Sequence, residues 1–86
     1  MFFTYVLYSE KYDKIYTGYT SDLDNRIKSH NVLATKGWTI RYRPWKLLYY
    51  EKFPSKQEAI VREKELKSHQ GRNFIRSLIR NNSNEK

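Results

Sequence analysis

Hydrophobic and polar positions along this chain change period several times, and each change marks an element. Phe2 to Ser9 (FFTYVLYS) is dense in aromatic and β-branched residues and reads as a strand buried on both faces. Glu10 to Asp13 is too short for a crossover, so Lys14 to Tyr19 is expected to return as the antiparallel partner. A helix follows over Asp22 to Asn31, with Ser21 or Asp22 as N-cap and Asp24 in its first turn. Leu23, Ile27 and His30 fall on one stripe of that helix. Val32 to Pro44 is a poorly patterned connection, long for a compact domain and expected to serve substrate choice.

Trp45 to Phe53 (WKLLYYEKF) reads as a third strand, stopped by Pro54. Ser55 and Glu58 have capping-box spacing and open a second helix whose apolar stripe is Ala59, Ile60 and Leu66, with Gly71 as its expected stop. Phe74, Ile75, Leu78 and Ile79 pattern a third helix with Arg72, Arg76 and Arg80 outside it. The order is therefore β-β-α-β-α-α, an α/β chain of the α+β type. Residues 1–80 are expected to form one domain and residues 81–86 (NNSNEK) a disordered tail.

Composition narrows the class. The 86 residues contain no cysteine, so neither disulfides nor thiolate metal sites enter the argument. No apolar run is long enough for a membrane span, and the start lacks the basic n-region of a signal peptide. A soluble, cytoplasmic protein is the expectation. Seventeen Lys and Arg against nine Asp and Glu leave a formal charge of +8, a field that attracts polyanions. Lys36 to Lys46 and Lys67 to Arg80 each carry four basic residues and no acidic one. Eight Tyr, two Trp and four Phe are interleaved with that charge and offer stacking surfaces, which favours nucleic acid as partner.

Candidate chemistry collects around the first helix. Tyr16 leaves the second strand through Gly18, and Arg26 and His30 project from neighbouring positions one turn apart, so all three can converge. Glu63 shares the angular position of the apolar stripe, between Ala59 and Leu66. A carboxylate placed there costs several kcal/mol unless it is paired, neutralised or metal-bound. The alternative is a helix-edge glutamate bonded to Lys67 at i+4, worth only a few tenths of a kcal/mol.

Taken in order, Tyr5-Val6-Leu7, Tyr16-Thr17-Gly18, Arg26 and Glu63 resemble the motif set of the GIY-YIG nuclease superfamily, over about Phe3 to Arg80. The stretches YTGYTSDLDNRIKSHN, RPWKLLYYEKF and EAIVREKELK are similar to small single-domain bacterial members described as excinuclease-subunit-C-like. Catalytic subunits of eukaryotic structure-specific endonucleases share Tyr-x-Gly-x-Thr, Arg-x-x-x-His-Asn and a late Glu.

The resemblance implies a three-stranded, mixed or antiparallel sheet flanked by helices. It also implies hydrolysis of nucleic-acid phosphodiesters with one divalent cation, Mg²⁺ or Mn²⁺. By position, Glu63 would be the metal ligand, Arg26 the catalytic arginine and Tyr16 the general base or water-positioner. Tyr5 would be the tyrosine of the first motif, and His30 would stand near the leaving group. Charge developing on phosphate oxygens suits a guanidinium and a cation. A phenol with the ordinary pKa near ~10 is a poor base at neutral pH, so Tyr16 would need nearby cations or would only orient a water.

DNA is the expected substrate, branched or damaged DNA and a repair role included, with Tyr19, Lys36, Arg41, Arg43 and Lys67 as expected contacts. Relatives in the excision-repair group carry a lysine where this chain has Tyr19. Two rivals follow from the same residues: a binding module of this fold that does not cut, and a weak nuclease directed by a protein partner.

Overall fold

The computed structural model describes residues 1–33 and 37–84. Strand β1 (Phe2–Ser9) lies at the centre of a three-stranded sheet of order β2-β1-β3, with β2 (Lys14–Thr20) and β3 (Lys46–Phe53) both antiparallel to it. Helix α1 (Leu23–Lys28) follows β2, and α2 (Lys56–Lys67) and α3 (His69–Asn84) follow β3. The element order is thus the one read from the pattern. Both faces of this central strand are covered, which is why β1 runs Thr4 to Ser9 without an exposed residue.

Each face of the sheet has its own core. Tyr5, Leu7 and Trp45 are buried on one, with Tyr16 of β2 and Leu23 and Ile27 of α1 packed against them. Val6, Leu66 and Ile75 are buried on the other, joining β1 to α2 and α3. Burying each aliphatic side chain of this kind stabilises the fold by roughly 1.5–3 kcal/mol relative to exposure. Thr4 Oγ1 donates to the Ala59 carbonyl at 2.7 Å, so α2 lies close over β1 where Ala59 offers only a methyl group.

Several boundaries differ from the expectation, each for a local reason. Asp22 is the N-cap of α1, its carboxylate accepting from Asn25 N–H at 3.2 Å. The α-helix ends at Lys28, and the chain continues as a π-helical turn over Ser29–Leu33 rather than as one helix to Asn31. The connection before β3 holds a 3₁₀ turn, Trp38–Tyr42. In β3, Val6 pairs with Tyr49 but Leu7 with Leu47, so Leu48 is the extra residue of a bulge.

Gly71 does not stop α2. Ser68 does, with extended backbone, its Oγ donating to Glu65 O at 2.6 Å and accepting from Gly71 N–H at 3.2 Å. One serine therefore closes α2 and opens α3. Gly71 sits in the first turn of α3 against the end of α2, where a Cβ would run into the Glu65 carbonyl and the Leu66 backbone. Glycine is needed there for close approach, not for its freedom to turn. Helix α3 runs to Asn84 and so includes residues 81–84, which the sequence reading placed in a tail; residues 85–86 lie outside the described set.

Candidate active site

Pairing of β1 with β2 sets Tyr5 opposite Gly18. A Cβ on Gly18 would come within 2.8 Å of the Tyr5 hydroxyl and 3.1 Å of the Tyr16 ring, so the missing side chain makes room for both tyrosines. Tyr5 is 1% exposed. Its hydroxyl lies 3.1 Å from His30 Nε2. The His30 ring is 4.6 Å from that of Tyr16, and the Tyr5 and Tyr16 rings are 6.2 Å apart, centre to centre. Three side chains from β1, β2 and the π-helical turn thus share one cluster.

Three charges act on that cluster. Burial pushes the Tyr5 hydroxyl well above the ordinary phenol range and Tyr16 adds to the effect, while the Arg26 guanidinium opposes it and the Glu63 carboxylate reinforces it. Arg26 of α1 and Glu63 of α2 therefore both stand near Tyr5, although they come from opposite layers. His30 is held below its ordinary value, first by burial and then by the positive charges of Arg26 and Arg43. At neutral pH the pair is a protonated phenol beside a neutral imidazole. Tyr5 is a hydrogen-bonding group and not a base.

Glu63 makes the i+4 pair with Lys67 that its spacing allowed, from a partly buried position. Its side chain is only 16% exposed, and its Oε2 accepts an ion pair from Lys67 Nζ at 3.1 Å. Among the described residues no group of three or more His, Asp or Glu is placed to hold a metal ion. Any cation here would take one protein carboxylate and otherwise water, the coordination habit of Mg²⁺ and Mn²⁺. A single hard, partly buried oxygen donor fits that habit.

The expected nucleic-acid contacts divide. Lys67 and Arg41 are exposed, and Arg41 lies 5.9 Å over the Tyr42 ring. Tyr19 alternates with Tyr16 along β2 and so belongs to the opposite sheet face. Arg43 works inside the fold: its Nε donates to His30 O at 2.6 Å and its NH2 to Ser29 O at 3.3 Å. Lys36 lies outside the described residues.

The support around His30 was not singled out from the sequence. Asn31 Nδ2 donates to Trp45 O at 2.8 Å and its Oδ1 accepts from Trp45 N–H at 2.6 Å, a two-bond clasp onto the start of β3. Trp45 Nε1 donates to Thr39 O at 2.7 Å. Arg43, Asn31 and Trp45 together tie the π-helical turn to the segment before β3. The only advance signal was the adjacency of His30 and Asn31, since nothing in the spacing says which main-chain groups an asparagine will meet.

A cleft of about 540 Å³ runs along the free edge of β2, lined among others by Lys14, Tyr16, Trp38, Lys67, Arg72 and Arg76. Tyr16 belongs to both the cluster and the cleft. Lys67, partner of Glu63, lies on its wall.

A family model described as the GIY-YIG catalytic domain matches residues 1–76. The chain is similar to a UPF0213 protein of Streptococcus pyogenes serotype M3, 42% identical over 86 residues that cover 98% of this chain and 90% of that one. It is also similar to a UPF0213 protein of Staphylococcus haemolyticus, 43% identical over 58 residues, or 67% of this chain and 71% of that one. The solution NMR structure of the UPF0213 protein BH0048 from Bacillus halodurans superimposes with a TM-score of 0.52 at 35% identity, covering 91% of this chain and 85% of that one.

Proposed function

The chain belongs to the GIY-YIG catalytic domain family, and from that premise we propose that it is a divalent-metal-dependent endonuclease hydrolysing phosphodiester bonds in DNA. The observation that carries the reading is the meeting of Tyr5, Tyr16 and His30 in one cluster under the charges of Arg26 and Glu63.

Each side chain has a task that its surroundings suit. Exposed Arg26 binds the nonbridging oxygens of the scissile phosphate with a fork that stays charged at every working pH. Tyr16, less enclosed than Tyr5, orients the attacking water through its hydroxyl. His30, neutral and held through Nε2, stands by the leaving oxygen, and Tyr5 keeps the imidazole in place. Glu63 would hold Mg²⁺ or Mn²⁺ in exchange for its contact with Lys67. Such an ion, when bound, neutralises charge building on the phosphate oxygens.

Branched or damaged DNA, a role in repair, a cytoplasmic setting and direction by a protein partner all accord with this chemistry and belong to the same proposal. Among the described residues no helix is long and apolar enough to cross a membrane.

Nicking of a supercoiled plasmid tests the activity. We expect nicking with Mg²⁺ or Mn²⁺, none in EDTA, and none by Glu63→Gln or Arg26→Ala under the same conditions. Undiminished nicking by Glu63→Gln would remove the metal ligand from the scheme. The Glu63–Lys67 ion pair favours a second reading, a nucleic-acid-binding module that does not cut. Binding without turnover on plasmid, flap, junction and RNA substrates would establish it.

A further inference from the structure

The cleft beside β2 has a chemistry that the cluster around His30 does not use. Four cations, Lys14, Lys67, Arg72 and Arg76, line it against one carboxylate, Asp13. That carboxylate is already neutralised, accepting from Arg76 at 2.6 Å and from the Tyr8 hydroxyl at 2.9 Å. Lys67 is engaged by Glu63. Lys14 and Arg72 are exposed and have no carboxylate partner among the described residues. Unneutralised charge on two walls of one groove is a site for an anion with repeated phosphates.

The mouth of the cleft adds a second element. Trp38, 46% exposed, stands 4.8 Å from the Tyr42 ring, and Tyr42 is 5.5 Å from Tyr12. Lys14 Nζ lies 5.4 Å over Tyr42, so cation and aromatic surface alternate on this rim. On its inner side Trp38 packs 5.8 Å from buried Trp45, which in turn reaches Tyr16 at 6.4 Å. The indole is thus backed by the core and open on its outer surface. A large apolar ring held in this way loses little freedom when a base lies on it.

We infer that this cleft is the track on which a nucleic-acid strand reaches Tyr16, with Lys14 and Arg72 pairing with its phosphates and Trp38 stacking on one of its bases. The inference rests on the proposed reading of the substrate as nucleic acid, and adds the path and the residues that define it. It also adds Trp38 and Arg72, which the sequence did not single out, to the expected contacts.

The two tryptophans make the test direct, because Trp45 is 3% exposed and Trp38 is the accessible one. A decamer of deoxythymidine is titrated into the full chain in EDTA while tryptophan emission is followed. We expect saturable quenching that Trp38→Phe abolishes. Lys14→Glu combined with Arg72→Glu should weaken binding at least about tenfold at moderate salt and flatten the dependence of log Kd on log salt. Quenching that survives Trp38→Phe, or an affinity indifferent to both charge reversals, would overturn the track. Nicking by a wild-type chain that shows no quenching removes the track and leaves the nuclease reading. Quenching with the expected variant effects, in a chain that never nicks, keeps the track and removes the nuclease.

Discussion

The Tyr5 hydroxyl and His30 Nε2 are 3.1 Å apart, and both residues are buried, so the central strand of the sheet holds the imidazole of the π-helical turn by a single bond. Tyr5→Phe keeps the ring and its packing but leaves a buried ring nitrogen without that partner. The cost should be about 1–3 kcal/mol. Urea denaturation of Tyr5→Phe beside wild type measures it. A loss under about 0.5 kcal/mol would mean that the imidazole finds water instead.

His30 also makes stability depend on pH. Burial and the charges of Arg26 and Arg43 hold its folded value below the ordinary 6.5. As pH falls through 6.5 the unfolded chain takes up a proton that the folded chain refuses, so stability declines below that point until the folded imidazole also protonates. Thermal melts between pH 8 and pH 5 (about neutral to mildly acid) should show Tm falling over the acid half of the range. His30→Gln should flatten that part of the curve.

Gly18 is where two tyrosines leave no room for a methyl group. With the Tyr5 hydroxyl 2.8 Å and the Tyr16 ring 3.1 Å from the place of a Cβ, Gly18→Ala must displace one ring. Overpacking of this kind costs about 1–3 kcal/mol and would loosen the contact between Tyr5 and His30. Gly71→Ala should cost more, because the obstacle is the backbone of Glu65 and Leu66 rather than a side chain that can rotate. Differential scanning calorimetry of the two variants ranks them.

Asn31→Ala removes both bonds to the Trp45 main chain. At about 1 kcal/mol for each bond, a loss of roughly 2–3 kcal/mol is expected once the stranded Trp45 groups are included. Arg41→Ala, on the exposed face of the neighbouring turn, should stay within about 0.5 kcal/mol of wild type. Equal effects in a denaturation series would show that the clasp carries no special weight.

Much of the fold was legible because period and caps are local. Phe2–Ser9 announced a fully covered strand, and the antiparallel return at Lys14 followed from a connection too short for anything else. The cap of Asp22 and the stop before Lys56 needed only neighbouring residues. What escaped depends on groups distant in sequence. The π-helical turn exists beside Arg43 and Trp45, which hold its carbonyls and Asn31, and no helix propensity encodes such partners. Gly71 resembled a helix stop because its composition signal is the same whether glycine turns the chain or lets two helices touch. The site shows the same division. Tyr16, Arg26 and His30 were adjacent on a short stretch, whereas the bonds of Arg43 to the Ser29 and His30 carbonyls join groups far apart in sequence.

The central place of β1 sets the order in which the chain can assemble. Its pairing with β2 closes a connection of a few residues, a step that takes microseconds once those residues exist. Its pairing with β3 must bring Leu7 to Leu47, and until that larger loop closes the hairpin has one edge bare and neither aromatic nor aliphatic core. Folding speed should therefore follow the entropy of closing the segment between α1 and β3, which the native state then holds through the clasp of Asn31 on Trp45. A cell making this protein carries an incomplete sheet until residue 53 has left the ribosome.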